Sequence, residues 1–372
     1  MSTRATDLPF EAVHGVTEAL GLKRATLWAL LVSKIVTGWG VQWDIQWHVL
    51  IGRDSFWIPP HLITYAGVSA AVFLSFGILF WETWRGTGEV RVLGLRGSRG
   101  FQLAAWGMAV TIIAAPIDDL WHRLFGIDVT LWSPPHLMGI LGAVINAWAC
   151  LTITSEVYSA GSRARLAAMV LTGATLYGSL HLVVDPSFRI AYLYGGVRFY
   201  TFAILAAVLL PLALVPTVRL SGNRWTPVLV LAVVALVGMA GLWVARAGFE
   251  VMQPVSVIEE EIAKDPTSPI AVANIMARKN GVTPGRVGGL PLLYMGLAAV
   301  IGMALVDARR RPVASTVAFS LLLFIVGGWF MSARPAFAPM VPGAGPTAAA
   351  FVITALTALL GGLAAKRLSD AL

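Results

Sequence analysis

From residue 25 to its end, the chain alternates long apolar runs with short polar stretches. An α-helix needs about 20 predominantly apolar residues to cross a bilayer, and about ten runs approach that length. They begin near Ala25, Leu62, Phe101, Leu137, Leu166, Tyr200, Pro227, Leu290, Ser315 and Ala348. The pattern predicts an all-α integral membrane protein with about ten transmembrane helices.

The polar stretches carry their basic residues on one side of the predicted membrane. The clusters are Arg85 to Arg99, Arg163 with Arg165, Arg219 with Arg224, Arg309 to Arg311, and Lys366 with Arg367. Lys and Arg gather in the cytoplasmic loops of membrane proteins. We therefore expect a multi-pass protein of the cell's inner (plasma) membrane with both termini in the cytoplasm.

The same pattern divides the chain into five segments. Residues 1–24 have apolar positions near helical spacing, which predicts an amphipathic segment on the inner membrane surface. Residues 25–158 contain four spans, residues 159–249 three further spans, and residues 290–372 the three C-terminal spans. The more polar residues 250–289 predict an outer-face segment with one or two short helices.

One polar stretch occurs twice. WDIQWHVLIGRDSFWIPPHL, residues 43–62, follows the first span, and DDLWHRLFGIDVTLWSPPHL, residues 118–137, follows the third. The aligned pairs include Asp44 with Asp118, His48 with His122, Asp54 with Asp128 and, after one inserted residue, His61 with His136. Both copies run in the same direction, which predicts an internal parallel duplication of a helix–loop–helix hairpin.

Composition supports a membrane protein and limits its chemistry. The chain is 57% hydrophobic and 12% charged, whereas soluble domains carry about 25% charged residues. Cys150 is the single cysteine, so a disulfide framework or a thiolate metal site is excluded. The net charge of +8 comes from basic loops beside the spans, so we expect no nucleic-acid partner.

Each copy of the repeat places two histidines and one aspartate at about the same depth in the predicted membrane. Asp44 and His48 are four residues apart and share one face of a helix end. His61 follows two prolines, which favour the first turn of the returning helix. Two imidazoles and one carboxylate form a common transition-metal ligand set.

We therefore predict that six residues bind metal: Asp44, His48, His61, Asp118, His122 and His136. A structural alternative is that each Asp and His simply hydrogen-bond each other. Ionisable groups at membrane depth are costly and are usually retained for function, and two matched copies favour a functional role. The two triads could hold one pair of ions or two separate ions.

Four further residues are weaker candidates, as groups that would orient the metal ligands. Asp54 and Asp128 follow the first helix of each copy, where a turn or helix cap is their simpler role. His181 and Asp185 repeat the four-residue interval at the end of the fifth span, without the double proline. The sequence identifies no catalytic residue.

The Asp-x3-His-x12-His motif of Asp44, His48 and His61 resembles the metal-binding motif of the C subunit of the copper membrane monooxygenases. That family includes particulate methane and ammonia monooxygenases. The resemblance implies a copper site near the outer face, oxygen chemistry and partner membrane subunits. It covers two short segments, and this chain departs from the family by carrying the motif twice in about ten spans.

We therefore expect a membrane metalloprotein, leaning towards a monooxygenase-like oxidoreductase that acts on a hydrophobic small molecule. Copper is the first choice of metal, with iron and zinc as alternatives, because imidazole and carboxylate accept all three. One alternative function is copper handling or assembly. Another is zinc-dependent hydrolysis of lipid within the membrane. The partners we expect are the lipid bilayer, other membrane subunits or further copies of the chain.

Overall fold

The computed structural model describes residues 10–52, 55–125, 132–184, 191–279, 281 and 290–372. It is 82% helical, which confirms the all-α fold class. The long helices of the first half are α1 (Phe10–Leu50), α2 (Pro59–Trp84), α3 (Arg99–Phe125), α4 (Pro134–Val157) and α5 (Arg163–Val184). They are followed by α6 (Thr201–Leu209), α7 (Pro211–Ser221), α8 (Thr226–Met252), α9 (Ile258–Lys264), α10 (Pro269–Lys279), α11 (Leu290–Val306), α12 (Pro312–Ser332) and α13 (Ala344–Ala371).

Eight helical stretches in the described part of the chain are long and apolar enough to cross a bilayer. They are α2, α3, α4, α5, the stretch Gly196–Ser221 that contains α6 and α7, α8, α12 and α13. The chain is therefore a multi-pass membrane protein with the lipid bilayer as its surroundings. The eight stretches coincide with eight of the predicted apolar runs.

Helix α1 is continuous over 41 residues. The segment predicted to lie on the inner membrane surface forms its first turns from Phe10 onward, and the helix continues directly into the first apolar run. No proline lies between Phe10 and Leu50, so no backbone N–H is missing from the helical hydrogen-bond pattern after the first turn.

Helices α1 and α2 form one antiparallel hairpin, and α3 and α4 form a second one beside it. In the first hairpin, a Cβ atom on Gly67 would lie 2.7 Å from the backbone nitrogen of Thr37. In the second, a Cβ atom on Gly142 would lie 2.7 Å from the backbone nitrogen of Thr111. Each pair of helices therefore approaches closely enough at this point that only glycine fits.

A short β-hairpin joins α2 to α3, which the sequence analysis did not predict. Strands β1 (Val90–Val92) and β2 (Leu95–Gly97) pair antiparallel. The fully buried Glu82 binds Lys23 at 2.6 Å and accepts a hydrogen bond from the backbone N–H of Ser98 at 3.0 Å. These contacts tie α1, α2 and the start of α3 together at the end of the helices remote from the repeated motif.

The core consists of separate clusters. The largest joins helices of the second half with α4 and α5. A smaller cluster fills the first four helices, but it uses residues such as Leu30, Ile78, Phe101 and Ile153, which lie far along each helix from the repeated motif. The motif-bearing ends of the two hairpins therefore lie outside this cluster.

Candidate metal centre

The first triad is built by the end of α1 and the start of α2. Asp44 and His48 lie in the last two turns of α1. Pro59 and Pro60 occupy the first turn of α2, where a proline costs no helical hydrogen bond, and His61 follows them. The two helices are antiparallel neighbours, so the carboxylate and both imidazoles lie at the same level.

A single carboxylate oxygen joins the three side chains. Oδ1 of Asp44 lies 3.1 Å from Nε2 of His61 and 3.3 Å from Nδ1 of His48. The same Nδ1 lies 2.9 Å from the backbone oxygen of Asp44. A carbonyl oxygen is an acceptor only, so Nδ1 of His48 carries the N–H that donates to the backbone of Asp44.

The second triad repeats one of these contacts. His136 follows Pro134 and Pro135 at the start of α4, and its Nε2 lies 3.4 Å from Oδ1 of Asp118 on α3. Position by position, this contact matches the contact between His61 and Asp44. The side chain of His122 lies outside the described residues.

The donor types fit a transition metal, and in the structure both imidazoles lie within ion-pair distance of the Asp44 carboxylate. Two ligand atoms held at 2.0–2.1 Å from one ion at a tetrahedral angle are about 3.3 Å apart, close to both separations around Asp44. Among the described side chains, however, no group of three or more His, Cys, Asp or Glu residues is arranged around a common ion position. Metal binding at Asp44 would therefore require the imidazoles to reorient, because each binds an ion through an unprotonated ring nitrogen.

Three of the weaker candidates, Asp54, Asp128 and Asp185, lie outside the described residues. The fourth, His181, lies in the last turn of α5. Its ring stacks on that of Tyr177 one helical turn earlier, with ring centroids 6.0 Å apart.

Aromatic side chains beside the first triad were not identified from the sequence. The ring of Tyr65 lies 5.8 Å from that of His61 on the same helix. Their four-residue spacing, which places both residues on one helix face, could have predicted this contact. On α1, Trp47 stacks on Phe249 of α8 at 5.9 Å. That contact joins helices far apart in sequence, so residue spacing could not reveal it.

The end of α1 is bound by the segment that follows α8. The backbone N–H of Val257 donates to the oxygen of Ile51 at 2.8 Å, and Oγ of Ser256 donates to the oxygen of Leu50 at 2.6 Å. The buried Asn274 on α10 donates from Nδ2 to the oxygen of Val49 at 3.1 Å. Three carbonyls in the turn after His48 are thus satisfied by this segment, which fixes the helix end beside the triad.

Comparisons with known proteins do not place the chain in a family. No family model, no curated protein and no solved structure matches it.

Proposed function

We propose that this chain is a membrane metalloprotein whose first metal site consists of Asp44, His48 and His61. The observation that carries the proposal is the convergence of two imidazole nitrogens on one Asp44 oxygen, at 3.1 and 3.3 Å. The three side chains come from two helices and lie at the end of a membrane-spanning hairpin. Charged and polar groups in such positions are costly and are usually functional.

The proposal includes a second site at Asp118, His122 and His136. The matched contact between His136 and Asp118 supports it. So does the matched close approach of the hairpin helices at Gly67 and Gly142. These parallels support an internal duplication of the whole hairpin, beyond the repeated motif.

A topology of ten spans is also part of the proposal. Helix α11, which at 17 residues is shorter than the eight membrane-length stretches, would add one span. The part of α1 from Ala25 onward would add the other. With the N-terminus inside, the basic clusters fall in the cytoplasm and both triads lie towards the outer face.

We propose copper as the metal, with iron and zinc as the alternatives that the same ligands accept. A bound copper or iron ion would supply redox and oxygen chemistry, as the resemblance to the copper membrane monooxygenases implies. In this chain Asp44 would balance the charge of the ion, and His48 and His61 would bind as neutral imidazoles. A hydrophobic substrate would reach the site from the surrounding bilayer.

Elemental analysis tests this proposal. The full chain, purified in mild detergent after equilibration with copper, iron and zinc, should retain copper, and Asp44→Asn should lower its content by about one equivalent. Asn preserves the shape of Asp but removes the charge that a divalent ion requires, a loss of several kcal/mol in a site shielded from water. Retention of zinc alone would instead favour a hydrolase, and rapid transfer of copper to an acceptor protein would favour copper handling.

The proposal fails if the wild type and Asp44→Asn retain the same metal in the same amount. The topology is tested separately by labelling single cysteines at positions 96 and 128 in a Cys150→Ser background. Position 128 should react with a membrane-impermeant reagent from outside intact cells, and position 96 only after the membrane is opened.

A further inference from the structure

A second candidate site lies on the face of α1 that is opposite to the first triad. A cavity of about 860 Å³ opens between α1 and α8. Its α1 wall includes Gln46 and Leu50, each two residues after a member of the first triad. Two residues correspond to about 200° around an α-helix, so the cavity and the triad are on opposite sides of α1.

The cavity lies at the end of both helices. Nε1 of Trp39 donates to the oxygen of Val237 at 3.0 Å, and further along both helices Trp47 stacks on Phe249. Helices α1 and α8 therefore run parallel, and their C-terminal ends lie at one level. In a membrane-spanning bundle this is the level where the hydrocarbon region meets the lipid headgroups.

The lining is amphipathic. Leu50, Phe249 and Trp243 contribute apolar and aromatic surface, and Gln46, Arg246 and Glu250 contribute polar atoms. The volume falls in the range of about 300–1,000 Å³ that is typical of small-molecule sites, which combine mainly apolar walls with few polar groups. This combination suits a ligand with a polar head and an apolar body.

The charged side chains that line the cavity indicate which polar headgroup the ligand carries. Nε of Arg246 donates to Oε1 of Glu250 at 2.9 Å, and Arg246 makes no other hydrogen bond to the described residues. The two terminal nitrogens of the guanidinium can thus bind a phosphate. Glu250 balances the positive charge, so a purely anionic head would meet a repulsive carboxylate.

We propose that this cavity binds the headgroup of a zwitterionic phospholipid. The phosphate contacts Arg246, and the amine contacts Glu250 and the indole face of Trp243, which attracts cations. A lipid is the occupant because the neighbouring surface of α8 is apolar and exposed: Leu236, Trp243 and Val251 are 61%, 71% and 83% exposed. This proposal is independent of any metal bound at the triad.

Native mass spectrometry tests the proposal with the full chain. The protein is equilibrated with mixed micelles of detergent and equal amounts of phosphatidylethanolamine and phosphatidylglycerol with identical acyl chains. We expect one retained phosphatidylethanolamine, preferred about tenfold, a difference of about 1.4 kcal/mol. Arg246→Gln should abolish retention of both lipids, whereas Glu250→Gln should remove the preference and retain either lipid.

The chain contains a matched control. Arg123 and Asp119 on α3 form an ion pair with the same four-residue spacing at 2.7 Å, and their side chains are 74% and 62% exposed. Those of Arg246 and Glu250 are 73% and 66% exposed. Arg123→Gln removes a comparable exposed charge away from the cavity, so it should leave lipid retention unchanged.

Several outcomes would overturn the proposal. Equal retention of both lipids by the wild type, or a preference for phosphatidylglycerol, would contradict a zwitterionic site. An unchanged lipid preference in Arg246→Gln and Glu250→Gln would place the lipid elsewhere. Displacement of the lipid by an equal concentration of soluble glycerophosphoethanolamine would assign the site to a free small molecule. The wild-type comparison decides the matter even if a variant fails to fold.

Discussion

Gly67 on α2 lies directly against Thr37 on α1, and its Cβ position is 2.7 Å from the Thr37 backbone nitrogen. Gly142 on α4 has the same relationship to Thr111 on α3. Small residues at these points let two membrane helices approach closely, where packing and interhelical hydrogen bonds hold them together. This contact fixes the distance between the two helices of each hairpin, about two turns along α1 or α3 from the aspartate of the triad.

A methyl group at this contact should separate the helices. We expect Gly67→Ala and Gly142→Ala each to lower the free energy of unfolding by about 1–3 kcal/mol, as overpacking of a tight contact does. The measurement is unfolding in mixed micelles of detergent and denaturing surfactant. If the triads bind metal, each variant should also weaken binding at the triad of its own hairpin.

Two glycines of the same helices serve as controls. Gly77 on α2 has open space at its Cβ position, and Gly139 on α4 would make only an ordinary contact, at 3.8 Å from the Cβ of Ala114. Replacement by alanine should leave stability unchanged or raise it by up to about 1 kcal/mol, since alanine favours helix. Equal losses for all four variants would show that the close approach has no special role.

Two adjacent carboxylates test the second triad. Asp118 is paired with His136 at 3.4 Å, whereas Asp119 binds Arg123 at 2.7 Å on the exposed side of α3. If the second triad binds metal, we expect Asp118→Asn to lower retained metal by about one equivalent, because an ion bound there would lose its charged ligand. Asp119→Asn removes an equal charge one residue away and should leave metal content unchanged, as measured by elemental analysis.

The same pair of variants can contradict the prediction in two ways. Equal metal loss in both would indicate a general effect of charge on the membrane surface. No loss in either would restrict metal binding to Asp44, His48 and His61, and the histidine–aspartate contact of the second hairpin would then be structural.

The segment from Ser256 to Asn274 should hold the end of α1 in place. Asn274→Ala removes a buried donor to the oxygen of Val49 and leaves that carbonyl without this partner, which costs about 1–3 kcal/mol. We expect faster amide hydrogen exchange both in α10 and in the last turn of α1. Thr267→Ala alters only an exposed turn, where Thr267 binds Asp265, and should leave exchange in α1 unchanged.

Exchange that rises in α10 alone would show that α1 keeps its end without this segment. In that case Asn274 would stabilise its own helix, where Nδ2 also donates to the oxygen of Ile270.

Local sequence patterns predicted the elements that carry the site. Apolar run lengths located eight membrane-length stretches, and the double prolines located the starts of α2 and α4. The four-residue spacing placed Asp44 and His48 on one helix face, where the structure has their side chains 3.3 Å apart. These features follow from helix geometry and bilayer thickness alone.

Contacts between distant segments could not be predicted in this way. Gly248 and Trp43 pack together across α8 and α1, but neither residue has a periodic pattern that identifies its partner. The segment after α8 binds backbone carbonyls of α1, which every sequence possesses. The strands β1 and β2 are three residues each, too short for an alternating pattern to be recognised.

The turn between α11 and α12 should make stability depend on pH. Arg309 donates from Nε and from a terminal nitrogen to the two oxygens of Asp307, both at 2.8 Å, and from its other terminal nitrogen to the oxygen of Gly222 after α7. Hydrogen bonds from Arg309 hold the pKa of Asp307 below its ordinary value. The turn is thereby joined to the end of α7.

Because the pKa of Asp307 is lower in the folded chain, its contribution to stability is complete above the unfolded pKa, about 3.9, and is lost as the pH falls through the folded value. Asp307→Asn should therefore lower the melting temperature at pH 6, and the difference from the wild type should shrink as the pH falls below about 4. Arg309→Gln should behave alike, since it removes the other partner. A difference that stays constant from pH 6 to pH 3 would mean that Asp307 stabilises the turn through its shape rather than its charge.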